Sequence, residues 1–397
     1  MPSPTLYLLG ASRIVSSSVN FLRRISLLRL AACLSHLNLL SRAVRLLFAA
    51  KCVKVCGAVP LLDPVGCEAI QVLRDCDVVY CSGGGNLNDL WLRQELFPRA
   101  VIYRLGHALG KPVFVSGQGV GPLKSRLGIW LLKWGAKHVK IFACRDMEES
   151  VAQMRSIGVA PEIVQAFGDD ATDLRSAGQA RGDAILRSEG VLRDGSPLLA
   201  VHVRLTNYVT DFRVTGAPFT ASLCDSLVEQ LNCRIVFIPI THRWERSYDR
   251  DIGDAFEVFS HMIHRDRVAF ICRATYSPGE MKAIISSCSG LIGYSYHSWV
   301  FALTSGRPAF GLFHGEYFRK KSVGLFAWYN HLDWIWDINQ TSVEHMVTTI
   351  SAALQTSSDH KERLDDITRS LLRRVERPVL SAADLQACKK QEVQGHS

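Results

Sequence analysis

The sequence predicts an α/β protein built from two Rossmann-like, doubly wound domains. Three observations carry that reading. Short apolar runs alternate with helical patterns along most of the chain, many of the runs end in glycine-rich or polar turns, and the series breaks off at a polar stretch and then starts again. At 397 residues the chain is too long for one ordinary core. A composition 48% hydrophobic and 21% charged is that of a globular protein able to bury a sizeable one.

In order, residues 5–9 read as a strand, followed by a helical stretch through Ala49. Residues 68–74 are helical, and residues 77–81 form a buried strand ending in Ser82-Gly83-Gly84-Gly85. A helical run leads to the stop signal Gly110-Lys111-Pro112, then a strand over 113–116 closes on Gly117-Gln118-Gly119-Val120-Gly121-Pro122. Residues 141–144 form a strand ending in Arg145-Asp146. Asp146 suits an N-cap with Glu149 three residues on, a capping box. Residues 173–196 turn polar and place the domain boundary, giving domains over 1–190 and 191–375 and a frayed tail over 376–397. The second series has strands over 198–203, 234–239, 268–271, 290–293 and 309–312. Ser277-Pro278-Gly279-Glu280 opens a helix, and residues 342–374 are helical.

The formal charge of +9 is unevenly spread. Residues 1–62 contain no Asp or Glu and eight basic residues, so the remainder is close to neutral, which argues against nucleic-acid binding. Arg29, Ser35, His36, Asn38 and Arg42 interrupt every window long enough to span a bilayer, and Arg13, Arg23 and Arg24 spoil a secretory signal. Three readings of this arm stay open: a surface helix of the first domain, an organelle-targeting segment, or a basic helix over residues 19–54 on an anionic membrane surface. Twelve cysteines include no C-x-x-C pair. Cys52 and Cys56 read as buried thiols in preference to metal ligands, so a reduced, cytoplasmic setting and no metal site are expected.

In doubly wound sheets ligands sit beyond the carboxyl ends of the strands, which makes a central cleft between the two domains the expected site. Gly83-Gly84-Gly85-Asn86 is expected to lead from strand to helix, either as a tight turn or as a backbone seat for an anion. Gln118 lies in a similar turn. His297 follows an apolar strand and precedes a helical run, with Ser295 and Ser298 beside it, a cluster that either caps and packs or holds phosphate or carboxylate. Arg204 ends a strand and suits bidentate anion binding or a surface ion pair. Arg319, Lys320 and Lys321 are expected in a loop after another strand.

Taken in order, these motifs resemble the polysaccharide pyruvyl transferases. They are Gly83-Gly84-Gly85 with Asp89, Gly117-Gln118-Gly119-Val120-Gly121-Pro122, Arg145-Asp146 with Ser150, Val201-His202-Val203-Arg204, Pro239-Ile240-Thr241-His242, and Ser295-Tyr296-His297 through Gly306-Arg307-Pro308. The resemblance covers residues 77–326. Many members carry Arg where this chain has Ser295, so it looks like a Ser-x-His variant. The resemblance implies a GT-B-like pair of domains and a transferase that moves an enolpyruvyl group from phosphoenolpyruvate to a sugar of a cell-surface or exopolysaccharide, forming a pyruvate ketal. It implies no cofactor beyond phosphoenolpyruvate as co-substrate, and a sugar or lipid-linked oligosaccharide acceptor reached at the inner face of the membrane. His297 would be catalytic. Arg204, Ser295, Ser298 and Lys320 would bind the donor, and Gly84, Gly85, Asn86, Asp89, Gln118, Arg145 and His242 would line the acceptor side. Two other classes compete. A GT-B nucleotide-sugar glycosyltransferase often shows two glutamates eight positions apart, a sign absent here, and a non-catalytic glycan-assembly protein would not respond to phosphoenolpyruvate.

Overall fold

The computed structural model describes residues 25–56, 62–191, 194–205, 212–240 and 251–394. The strand expected over 5–9 and the candidate His242 lie outside them. The chain divides into two compact units, Met1–Phe167 with Glu376–Ser397, and Gly168–Val375.

In the first unit the helices α1 (Ile25–Cys56) and α2 (Pro64–Asp75) precede β1 (Val79–Cys81) and β2 (Gly84–Leu87). Then come α3 (Phe97–Ala108), β3 (Val113–Val120), α4 (Arg126–Ala136), β4 (Ile141–Cys144), α5 (Glu149–Ser156) and β5 (Val164–Ala166). The sheet is parallel in the order β1-β3-β4-β5. β2 pairs with the later part of β3, so β1 and β2 form one interrupted strand along it. At the break a Cβ on Gly83 would stand 2.5 Å from the Gly117 carbonyl oxygen, so only glycine fits. Every residue of β3 is buried, as expected for a central parallel strand. α1 joins this core through Ala43, Leu46, Ala50 and Val53.

The second unit runs α6 (Gln179–Ser188), β6 (Leu198–His202), α7 (Arg213–Leu231), β7 (Arg234–Phe237), α8 (Asp251–His261) and β8 (Val268–Phe270). It continues with α9 (Pro278–Ser286), β9 (Gly290–Gly293), α10 (Tyr296–Leu303), β10 (Ala309–Phe313), α11 (Glu316–Phe326), β11 (Ile335–Asp337), α12 (Val343–Gln355) and α13 (Ser357–Gln394). Its six parallel strands run β11-β10-β9-β6-β7-β8. The chain builds outward from β6 to β8, returns to β9 and builds the other way. The switch point of this Rossmann order falls between β6 and β9.

Four expectations are corrected. The division falls at Phe167 and Gly168, not near 190, because the polar stretch is built into the second unit. Gln179 donates to Ser287 Oγ at 2.9 Å, Arg181 pairs with Glu280 at 2.6 Å, and Glu189 accepts from the Arg273 N–H at 2.9 Å. The tail is helical as far as Gln394. Asp146 is not the N-cap of α5, a position taken by Glu148. Its carboxylate instead accepts from the Ser150 N–H at 2.7 Å and from the Ser150 hydroxyl. Gly84–Leu87 is a strand, not a strand-to-helix turn. The capping box of Ser277 and Glu280 stands as the sequence predicts, with both reciprocal bonds made.

Candidate active site

The carboxyl ends of β6 and β9 are adjacent, with His202 opposite Gly293 in the parallel register. A Cβ on Gly293 would stand 3.0 Å from the His202 Cβ and 3.1 Å from Ser298 Oγ, so this glycine lets the two strand ends close together. Fully buried His202 places Nε2 3.1 Å from an Asp251 carboxylate oxygen, and among the described residues no partner reaches its Nδ1. Arg204 donates to the same carboxylate from Nε at 3.1 Å and from Nη2 at 2.8 Å, and the Ile240 N–H adds a bond of 2.9 Å. Three residues on, Asp254 accepts from the Leu205 N–H and from Arg213, each at 2.8 Å. The two acids opening α8 thus fix the segment that leaves β6. Arg204, expected to bind the donor, thus presents a planar fork that meets the Asp251 carboxylate.

At the end of β9, Ser295 is the N-cap of α10, but its side chain makes no cap bond. Its carbonyl accepts from Ser298 Oγ at 2.7 Å, and the Trp299 indole donates to the Gly293 carbonyl at 2.8 Å. Both serines are buried. The Ser298 hydroxyl therefore stiffens the turn. His297 is exposed on the first turn of α10, its ring edge-on to Tyr296 at 5.7 Å. Beneath it Tyr294 and Thr220 share a hydroxyl–hydroxyl bond of 2.7 Å, and burial raises the Tyr294 phenol above its usual range. Phe212 packs against Tyr294 at 5.6 Å and against His314, at the end of β10, at 5.4 Å. Lys320 is half-buried within α11 instead of standing in a loop. Its neighbour Lys321 lies over the Tyr317 ring at 4.3 Å.

The first unit has its own strand-end cluster. The Arg145 guanidinium is buried between Gly85 and Gly119, where added Cβ atoms would meet it at 3.0 Å and 2.5 Å. Gln118, fully buried, donates to the carbonyls of Ser82 and Ser116 at 2.7 and 3.2 Å, and its own carbonyl oxygen has no partner among the described residues. Asp89 accepts from the Lys124 and Ser125 N–H groups at 2.6 and 2.8 Å and from the Ser125 hydroxyl at 2.5 Å. Burial acts to raise its carboxyl, but these bonds outweigh it and hold the carboxyl below its usual range. Asp89 is therefore a clamp on the loop before α4. Gly84 and Asn86 are half-buried in β2, and the capping work there falls to Asn88, which accepts from Leu90 and Trp91. Among the described residues, no group of three or more His, Cys, Asp or Glu is placed to hold a metal ion.

The family model of the polysaccharide pyruvyl transferases matches residues 4–313, well over half the chain. The chain belongs to that family. Membership makes it a transferase of polysaccharide synthesis, and the match runs through every sequence motif from Gly83 to Pro308. No curated relative matches the sequence. Among solved structures it is similar to Alr3699/HepE of Anabaena in complex with UDP, at 11% identity, TM-score 0.55 and 82% coverage of each chain. It is also similar to a glycosyltransferase of Rickettsia africae, at 9% identity and TM-score 0.50, covering 84% of this chain and 81% of that one. A third similarity is to the trehalose 6-phosphate synthase of Burkholderia multivorans, at 13% identity and TM-score 0.50, covering 83% and 79%. At these identities the likeness concerns the fold, which is GT-B-like with two Rossmann-like domains.

The sequence missed the partnership of His202, Arg204 and Asp251. Nothing local shows it, since Asp251 lies 47 residues beyond Arg204. The one hint was the Asp251 and Asp254 pair, spaced to share a helix face.

Proposed function

We propose that the protein transfers an enolpyruvyl group from phosphoenolpyruvate to two hydroxyls of a sugar, releasing phosphate and leaving a cyclic pyruvate ketal on a cell-surface or exopolysaccharide. In the reaction the donor methylene carbon gains a proton, and one sugar hydroxyl adds to the neighbouring carbon. Phosphate leaves, the second hydroxyl closes the ring, and each hydroxyl gives up its proton. The observation that carries this reading is the family match over residues 4–313, which includes the exposed His297 at the carboxyl end of β9.

His297 is the group we assign to proton transfer or to the phosphate, since it combines an exposed imidazole with a strand-end position. Ser295 shapes the turn beneath it. Arg204, held by Asp251, acts by orienting the chain after β6, and Lys320 supplies a donor-side cation. In the first unit Arg145, with Gly84, Gly85, Asn86 and Gln118, serves the sugar acceptor, free or lipid-linked. The reaction requires no cofactor beyond its co-substrate and takes place in the cytoplasm.

The test is phosphate release by the purified full chain from phosphoenolpyruvate with glycan acceptors, with the ketal identified by mass spectrometry. His297→Ala is expected to abolish turnover without moving the melting temperature, because the side chain is exposed. Full activity in that variant removes His297 from the mechanism. Turnover of a nucleotide sugar in place of phosphoenolpyruvate overturns the reading as a whole.

A further inference from the structure

Two runs of the first unit lack acidic residues altogether. Residues 1–62 hold eight Lys and Arg, and residues 96–145 hold nine, with no Asp or Glu in either. Over residues 1–167 there are 20 Lys and Arg against 10 Asp and Glu, so this unit alone accounts for the chain's formal charge of +9. The second acid-free run includes α3 and α4, and α1 and α4 both pack against α3. Nine of these seventeen basic residues lie on the helical layer of α1, α3 and α4.

The outer face of that layer is also unusually apolar. One side of α1 is core, through Ala43, Leu46, Ala50 and Val53. The opposite side carries Leu40, Val44 and Phe48, four residues apart and each more than half exposed, at 53%, 58% and 51%. Exposed Arg45 and Lys51 stand beside them. On α4, Leu127 and Trp130 are as exposed, and Trp130 stacks on Trp134 at 5.7 Å, with Arg104 over the Trp134 ring. Arg126, Lys133 and Lys137 surround them, all exposed. Large apolar side chains grouped on a helix face and left in water mark an interaction site. Aliphatic and indole side chains set among Lys and Arg, on two helices that carry no acid of their own, match the boundary between acyl chains and anionic headgroups. Carboxylates reach these helices from outside, Asp63 on Arg42 and Asp89 on Ser125.

We infer that the outer surface of α1 and α4 docks the protein on an anionic lipid bilayer. It is a peripheral attachment, since no helix among the described residues is long and apolar enough to cross a membrane. Val44, Phe48 and Trp130 enter the headgroup boundary while Arg45, Lys51, Lys133 and Lys137 meet lipid phosphates. A second protein surface is the competing occupant. The excess of Lys and Arg on these two helices, which carry no Asp or Glu of their own, favours the membrane, because the core of a protein interface is depleted in Lys. The inference does not rest on the transfer reaction.

The test is flotation of the full chain with phosphatidylcholine vesicles, with and without roughly one third phosphatidylserine. Binding is expected only to the anionic vesicles, and is expected to weaken steeply between about 0.1 M and about 1 M salt. Arg45→Gln with Lys51→Gln should weaken it about five-fold per residue. Val44→Glu with Phe48→Glu should abolish it, with the melting temperature unchanged. Equal flotation with both vesicle types, no flotation, or unaltered flotation of the glutamate variant overturns the inference. So does light scattering that shows a dimer of the full chain and a monomer of the glutamate variant, since a second copy then covers the stripe.

Discussion

Replacing Asp251 by Asn tests whether its carboxylate holds the end of β6 in place. The side chain is fully buried and accepts from Arg204 Nε and Nη2, His202 Nε2 and the Ile240 N–H. Asparagine keeps one acceptor but turns an amide N–H towards donors, and it removes the carboxylate charge that faces the Arg204 guanidinium, which is only 22% exposed. Removing one partner of a buried, hydrogen-bonded ion pair costs about 3–5 kcal/mol. The partial exposure of Arg204 brings the expectation to about 3 kcal/mol. In a domain of about 200 residues that lowers the melting temperature by about 6–12 °C. Scanning calorimetry on Asp251→Asn, Arg204→Met and the double variant measures it, and the two substitutions should couple by at least about 1 kcal/mol. If Asp251→Asn melts within about 1 °C of the parent, or the effects simply add, the carboxylate does not organise this strand end.

Gly119→Ala places a methyl group 2.5 Å from Arg145 Nε, so a loss of about 1–3 kcal/mol is expected in urea titration. Gly315→Ala, at φ +82° with open space around it, should lose less because only the backbone is strained. Burial pulls the Lys282 amine down to about 8, against a smaller opposing effect of Asp173. Between pH 8 and its unfolded value of about 10.4 the unfolded chain binds more protons, so stability rises with pH there. Lys282→Met should remove that rise, read as the difference in urea midpoint between parent and variant across the window. The Ser277 N–H first, and Arg181 next, hold the Glu280 carboxyl down at about 2. Its contribution is therefore complete above its unfolded value of about 4.3 and is lost as pH falls towards 2. Glu280→Gln should flatten acid unfolding in that window, and an unchanged acid profile would show that the capping box does not feel the charge.

The architecture was legible where a strand is a closed apolar run. Ile141–Cys144 and Gly290–Gly293 fall where the pattern places them, each bounded by polar or glycine residues. β2 was not, because Gly-Gly-Asn-Leu has the composition of a turn and becomes a strand only by pairing with β3. β5 and β11, three residues each, are too short to show a period. The domain boundary was misplaced because polar composition marks exposure, and α6 is polar on one side while Ile185 and Leu186 are buried on the other. In the candidate site, His297 stands at a strand end as its position suggested. Arg204, Asp89 and Ser298 have the residue types of ligand groups, and the structure gives each of them protein partners as well. Those partners are distant in sequence for Arg204 and Asp89, and hidden in a local turn for Ser298.

The seat of Arg145 constrains how this sequence can change over time. Residues 85 and 119 belong to different strands and never meet as side chains, yet each is held to glycine by the same guanidinium. In any descendant that shortens residue 145, both positions are released together, and a side chain can appear at either without penalty. In any descendant that keeps the arginine, neither can drift. Positions 85, 119 and 145 should accordingly vary as a linked trio across homologues, a correlation that arises from one occupied volume and not from any contact between the two glycines.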